Sequence, residues 1–131
     1  MTDKKIVAVL GNGGREHATA WKLAQSSEVD KVLFMPGNGG AHFTDKVENV
    51  NVKPTDFEGI HNVLTKSKAN LLFVGPEGPL CEGIVDALRD KGFSRVIGPN
   101  QTFAKLEGSK SYAYSVAKDL EIPQAISIIM E

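Results

Sequence analysis

A chain of 131 residues can bury one core without metal staples, and its single cysteine, Cys81, excludes an internal disulfide and favours a reducing compartment. With 15 basic and 16 acidic residues the formal net charge is -1, a balance that points to no nucleic-acid or membrane surface. No apolar run approaches the roughly 20 residues of a membrane span, and the short apolar run behind MTDKK is too brief for a signal-peptide core, so the expectation is a cytoplasmic protein.

In chain order, the run Ile6 to Leu10 reads as a first strand, followed by the glycine-rich turn GNGGREH. A helix follows, with Ala18, Ala20, Trp21, Leu23 and Ala24 as its apolar face and Trp21 placed in the core. Val32 to Met35 is a second strand that ends in PGNGG, and Val47 to Val52 reads as a short edge strand. Phe57, Ile60, Val63 and Leu64 mark a second helix. Leu71 to Val74 is the next strand, running into VGPEGPL. Cys81, Ile84, Val85 and Leu88 then fall at i, i+3, i+4 and i+7, the spacing of one helix closed at Gly92, and Arg95 to Ile97 reads as another strand. Continuous apolar runs suit strands buried on both faces of a parallel sheet. Their alternation with helices implies right-handed crossovers and a doubly wound, Rossmann-like α/β sheet with helices on both faces and the first strand interior.

Beyond Ile97 the rhythm changes. Pro99-Asn100 opens a short helix to Glu107, Gly108-Ser109 restarts the chain, and a further helix turns Ala113, Val116, Ala117 and Leu120 inward. Ile122-Pro123 ends it, and Ala125 to Met130 reads as a strand with nothing after it. The expectation is a domain over residues 1–98, a second segment over 99–131, and a chain that is a piece of something longer.

Ligands of open α/β sheets sit beyond the carboxyl ends of the strands, where helix N-termini offer unpaired amides. Three glycine-rich loops fall there. The first carries Gly11, Gly13 and Gly14 but has Glu16 where the third glycine of a dinucleotide fingerprint belongs, and Met35-Pro36 stands where the ribose-binding acid belongs. GSKS at 108–111 lacks the glycines of a Walker A loop. A smaller phosphorylated ligand remains, held by the amides of Asn12 to Arg15 and by a bidentate Arg15 guanidinium; the alternative is a tight turn with Arg15 solvated. Gly37, Asn38, Gly39 and Gly40 form either a flexible loop or a second contact, with Asn38 able to bond a sugar hydroxyl. Glu77, between Gly75-Pro76 and Gly78-Pro79, reads as a carboxylate on a stiff loop facing ribose hydroxyls or an amine, or as a solvated turn acid. His17 reads as a packing or capping residue and Cys81 as a packed one, and no metal site is expected.

GNGGREH with Trp21-Lys22-Leu23-Ala24, then PGNGG, VGPEGPL-CEGIVDAL, IGP and KLEGSKSYA, in this order, resemble the start of the phosphoribosylamine–glycine ligase family, also called glycinamide ribonucleotide synthetases, over essentially the whole chain. The resemblance implies a pre-ATP-grasp N-terminal domain up to about residue 98, which helps hold 5-phosphoribosylamine, and then the approach to an ATP-grasp region. It implies an enzyme that joins glycine to 5-phosphoribosylamine with ATP in purine biosynthesis, through a glycine acyl phosphate that the amine attacks. Lys110 is similar to the first ATP-grasp lysine, which contacts nucleotide phosphate. The magnesium ligands and most of the glycine pocket would lie beyond Glu131, so this chain alone is expected to be inactive and to contain no catalytic residue. Gly78 stands where the family usually has Ala, and Tyr114 where it often has Lys. The rival reading is a non-catalytic sugar-phosphate or nucleotide-binding module with the same fold.

Overall fold

The computed structural model describes residues 4–126 and residue 128. Five parallel strands, β1 (Lys5–Gly11), β2 (Val29–Pro36), β3 (Val47–Asn49), β4 (Leu71–Val74) and β5 (Val96–Ile97), form one sheet in the order β3-β2-β1-β4-β5. β1 is interior, as its continuous apolar run requires, and β4 coincides residue for residue with the predicted strand. Alternate residues of each strand face opposite sides. Ala8, Leu10, Leu33, Met35, Leu72 and Val74 enter one core, and Val7, Val9, Val32 and Phe34 enter the other. Full burial of such side chains contributes about 1.5–3 kcal/mol each, so the two faces of β1 and β2 anchor the domain.

The first face is covered by α2 (Phe57–Lys66), α3 (Glu77–Cys81), α4 (Ile84–Asp90) and α5 (Gln101–Gly108). Asp56 caps α2 by accepting from the Gly59 amide at 2.9 Å, and Ile60 and Leu64 turn inward. The opposite face packs against α1 (Gly14–Ala24) and the loop around Ala41.

Three expectations about the helices need correction. Trp21 is not in the core. It is 50% exposed, because α1 turns Glu16, Ala20 and Ala24 toward the sheet and Ala18 and Trp21 away from it. The single helix expected around Cys81 to Leu88 is two, broken at Gly83, which takes a left-handed φ of 90°. The break admits Gln101 of α5, whose side chain donates to the Cys81 carbonyl at 3.1 Å and whose backbone amide donates to Asp86 at 2.8 Å. Finally, the face of α6 (Lys110–Asp119) expected to turn inward is only partly covered: Ala113, Val116 and Ala117 are half-buried, no residue of the helix is fully buried, and Leu120 is 65% exposed.

The helix break at Gly108-Ser109 is present: Ser109 ends α5 and caps α6, accepting from the Tyr112 amide at 3.3 Å. α5 nevertheless belongs to the packed unit. Its Ala104 is 2% exposed, and the half-buried Cys81 thiol donates to the Ala104 carbonyl at 3.5 Å. The expected strand from Ala125 to Met130 is not formed at Ala125, Ile126 or Ile128; its remaining positions lie outside the described residues.

Candidate functional site

Parallel register sets the three glycine loops at one level. Leu10 pairs with both Met35 and Val74, and Gly11 pairs with Pro36, so the chain leaves β1, β2 and β4 side by side at their carboxyl ends. Residues 11–15, 37–40 and 75–77 therefore share one sheet edge, as the sequence led one to expect.

The β1 loop is organised by a residue that the sequence reading treated only as a missing glycine. Glu16 is 5% exposed. Its Oε2 accepts from the Gly13 amide at 2.9 Å and its Oε1 from Arg15 Nε at 2.9 Å. A Cβ built on Gly11 would lie 2.4 Å from Glu16 Cγ, and one on Gly75 would lie 2.2 Å from it. The carboxylate thus fills the crevice between β1 and β4, where a dinucleotide needs bare backbone to approach. Gly13 three residues before Glu16 is half of a capping box, a signal present in the sequence.

This rearranges the expected cradle. The Gly13 amide is taken by Glu16, while the amides of Gly14, Arg15 and Glu16, the first turn of α1, have no partner among the described residues. Arg15 is not simply solvated. Its side chain is 58% exposed, yet Nη2 donates to the Gly75 carbonyl at 2.7 Å and lies 3.7 Å from Glu77 Oε2, with Nε held by Glu16. The hydrogen bond from Arg15 to Glu16 and the charge of that carboxylate raise the guanidinium above its already high range, so it is a permanent cation. Its Nη1 is the terminal nitrogen that these contacts leave open.

The β2 loop is held by Asn38. Its Nδ2 donates to the Asn12 carbonyl at 3.0 Å, and its Oδ1 accepts from the Gly40 amide at 3.0 Å and meets His17 Nδ1 at 3.1 Å. The Asn49 side chain donates to the Asn38 carbonyl at 2.8 Å and occupies the space a Cβ on Gly37 would need, where φ is +76°. Both polar ends of the Asn38 side chain are therefore spent on the protein, so its part at this edge is to couple two loops, and the loop is braced instead of loose. His17 packs as expected, 4.9 Å from the Phe43 ring; because Asn38 Oδ1 only accepts, His17 Nδ1 carries a proton. Gly39 is exposed.

Glu77 does not stand in a stiff loop. It opens α3, with Pro79 in the first turn, where a missing N–H costs nothing. Its exposed carboxylate lies at the crevice mouth beside Arg15. Lys110 is exposed in the first turn of α6, beside a hollow of about 460 Å³ that Tyr114 and Gln124 also line. Among the described residues no three His, Cys, Asp or Glu side chains gather as a metal site, and no helix is long and apolar enough to cross a membrane.

Residues 5–107 match the family model described as "Phosphoribosylglycinamide synthetase, N domain". The phosphoribosylamine–glycine ligase of Haemophilus influenzae is 44% identical over 91% of this chain, which spans 28% of that protein. The bifunctional purine biosynthetic protein purD of Dictyostelium discoideum is 42% identical over 95% of the chain, which spans 15% of it. Among solved structures, the biotin carboxylase domain of Hydrogenobacter thermophilus 2-oxoglutarate carboxylase, in complex with MgADP, ADP and bicarbonate, superposes with a TM-score of 0.64 at 19% identity over 91% of this chain and 28% of that one. The biotin carboxylase subunit of pyruvate carboxylase does so with a TM-score of 0.62 at 18% identity, over 94% and 28%. These two share the fold. The glycine loops, Glu16 and α5 up to Glu107 all lie within the matched residues, and the chain belongs to the phosphoribosylglycinamide synthetase N-domain family.

Proposed function

We propose that this chain is the N-terminal part of a cytoplasmic, ATP-dependent ligase that joins glycine to 5-phosphoribosylamine, and that it holds the sugar phosphate. The observation that carries the reading is the first turn of α1. The amides of Gly14, Arg15 and Glu16 are open at the edge where three loops converge, beside the Nη1 of a fixed guanidinium. Amides at a helix N-terminus and a guanidinium edge are both suited to a phosphate. Glu77, at the mouth, suits the amine or a ribose hydroxyl, and the exposed Gly39 and its neighbour Gly40 let the second loop lie close to the sugar. The name of the Haemophilus influenzae relative supports the same substrate class.

In the complete enzyme, ATP supplies the phosphoryl that activates the glycine carboxylate, and magnesium offsets its charge. On this reading Lys110, exposed in the first turn of α6, offers its ammonium to nucleotide phosphate, residues 99–131 lead into the ATP-grasp region, and the magnesium ligands come from outside this chain. The residues of the N-terminal unit act by positioning the amine, an effect worth several kcal/mol when geometry is right.

A chimera tests the proposal: this chain replaces the matching segment of the Haemophilus influenzae relative, and ADP formation dependent on both glycine and 5-phosphoribosylamine is measured. The expected result is turnover that requires both substrates. A folded chimera without turnover, alongside an isolated chain that still binds ribose 5-phosphate, would favour a binding module instead.

A further inference from the structure

We propose that Glu16 is the positioning residue of this edge, setting both the Arg15 guanidinium and the open first turn of α1 for the ligand; the inference rests on the sugar-phosphate reading above. Three observations carry it. Glu16 is the one charged side chain in the buried core among the described residues, yet both carboxylate oxygens are engaged. A buried carboxylate with both oxygens hydrogen-bonded is held in place, because leaving either oxygen unpaired there costs a desolvation penalty. Two glycines, Gly11 and Gly75, leave the room that its Cγ occupies, one on each side of the crevice.

The bonds determine what is presented. By taking the Gly13 amide, Glu16 fixes the entry of the chain into α1, so the next three amides point out as a set. By holding Nε of Arg15 while the Gly75 carbonyl holds Nη2, it pins two of the three guanidinium nitrogens and leaves Nη1 outward. A flexible exposed arginine becomes a fixed one, whose ordering is complete before a ligand arrives. The Glu16 carboxylate touches no ligand on this account and acts through Arg15 and the α1 amides.

The test uses this chain with ribose 5-phosphate as the probe, its affinity measured by calorimetry for the unaltered chain, Glu16→Gln, Arg15→Ala and the double variant. Glu16→Gln keeps an acceptor for Gly13 and loses the ionic partner of Arg15. Affinity is expected to fall on the order of tenfold in Glu16→Gln, with Arg15→Ala costing at least as much and the double variant little more than Arg15→Ala alone. Independent, additive losses, or unchanged affinity in Glu16→Gln, would overturn the positioning role while leaving the sugar-phosphate reading standing. No binding by the unaltered chain would overturn both. Should Glu16→Gln fail to fold, hydrogen exchange in the unaltered chain decides: the Gly13 amide and Arg15 Nε–H should be protected before ligand is added and remain so afterwards. Ligand-induced loss of the protection at Gly13 would contradict the proposal.

Discussion

The side-chain amide of Asn38 donates to the carbonyl of Asn12 at 3.0 Å, joining the loop after β2 to the loop after β1. With Gly40 and His17 on its other end, Asn38 makes one body of two segments that the sequence separates by more than twenty residues. Asn38→Ala should therefore cost about 1 kcal/mol of stability, the net loss expected for two exposed hydrogen bonds and one part-buried one. Thermal or urea unfolding reads the cost, and amide exchange should rise at Gly40. A change smaller than about 0.3 kcal/mol would show that the loops hold without the bridge.

Glycine substitutions should separate by position. Gly75→Ala places a Cβ 2.2 Å from buried Glu16 Cγ, whereas a Cβ on Gly14 meets nothing within 4 Å. The first should destabilise by about 1–3 kcal/mol through overpacking, and the second should leave stability unchanged or raise it by up to about 1 kcal/mol. Equal effects in denaturant titrations would mean that the Glu16 side chain does not occupy the crevice.

Arg15→Ala, tested in the chimeric ligase, should raise the KM for 5-phosphoribosylamine by about tenfold to a hundredfold, the range of a lost charge-assisted hydrogen bond, with the KM values for ATP and glycine unchanged. Arg15→Lys should not restore it, since an ammonium cannot meet Glu16, Gly75 and a ligand in one plane. Unchanged constants for all three substrates would remove Arg15 from the site.

A smaller electrostatic effect joins two of the helices. The hydrogen bond and charge of Lys91 hold the Glu58 carboxyl below its ordinary value of 4.5, joining α2 to the end of α4. A carboxyl whose pKa is lower in the folded chain stabilises it above the unfolded value and loses that contribution as pH falls through the folded one. Lys91→Met should therefore remove a small contribution that is fully present at pH 7, small because both groups are exposed, and the difference from the unaltered chain should shrink as pH falls below about 4.5. A difference that persists or grows as the pH falls below about 4 instead would contradict the assignment.

The strands were legible because burial on both faces demands unbroken apolar runs, and Leu71 to Val74 was recovered without error. Three features were not legible, each for a physical reason. Trp21 lies one residue from the true inward stripe of Glu16, Ala20 and Ala24, and only knowledge that a carboxylate faces inward sets the rotation of α1. The break at Gly83 leaves the apolar spacing from Cys81 to Leu88 intact, so periodicity passes over it. The convergence of the loops followed from strand topology, but how Asn38 and Arg15 spend their hydrogen bonds depends on neighbours as remote as Gly75, at a range that residue spacing does not encode.

The most direct test of the central claim is an amide chemical-shift titration of this chain with ribose 5-phosphate. The account predicts saturable shifts that are largest at Gly14, Arg15 and Glu16, with Gly13 shifting less because its N–H is already bonded. A flat titration, or shifts centred on Lys110 and α6 with the α1 turn silent, would contradict it.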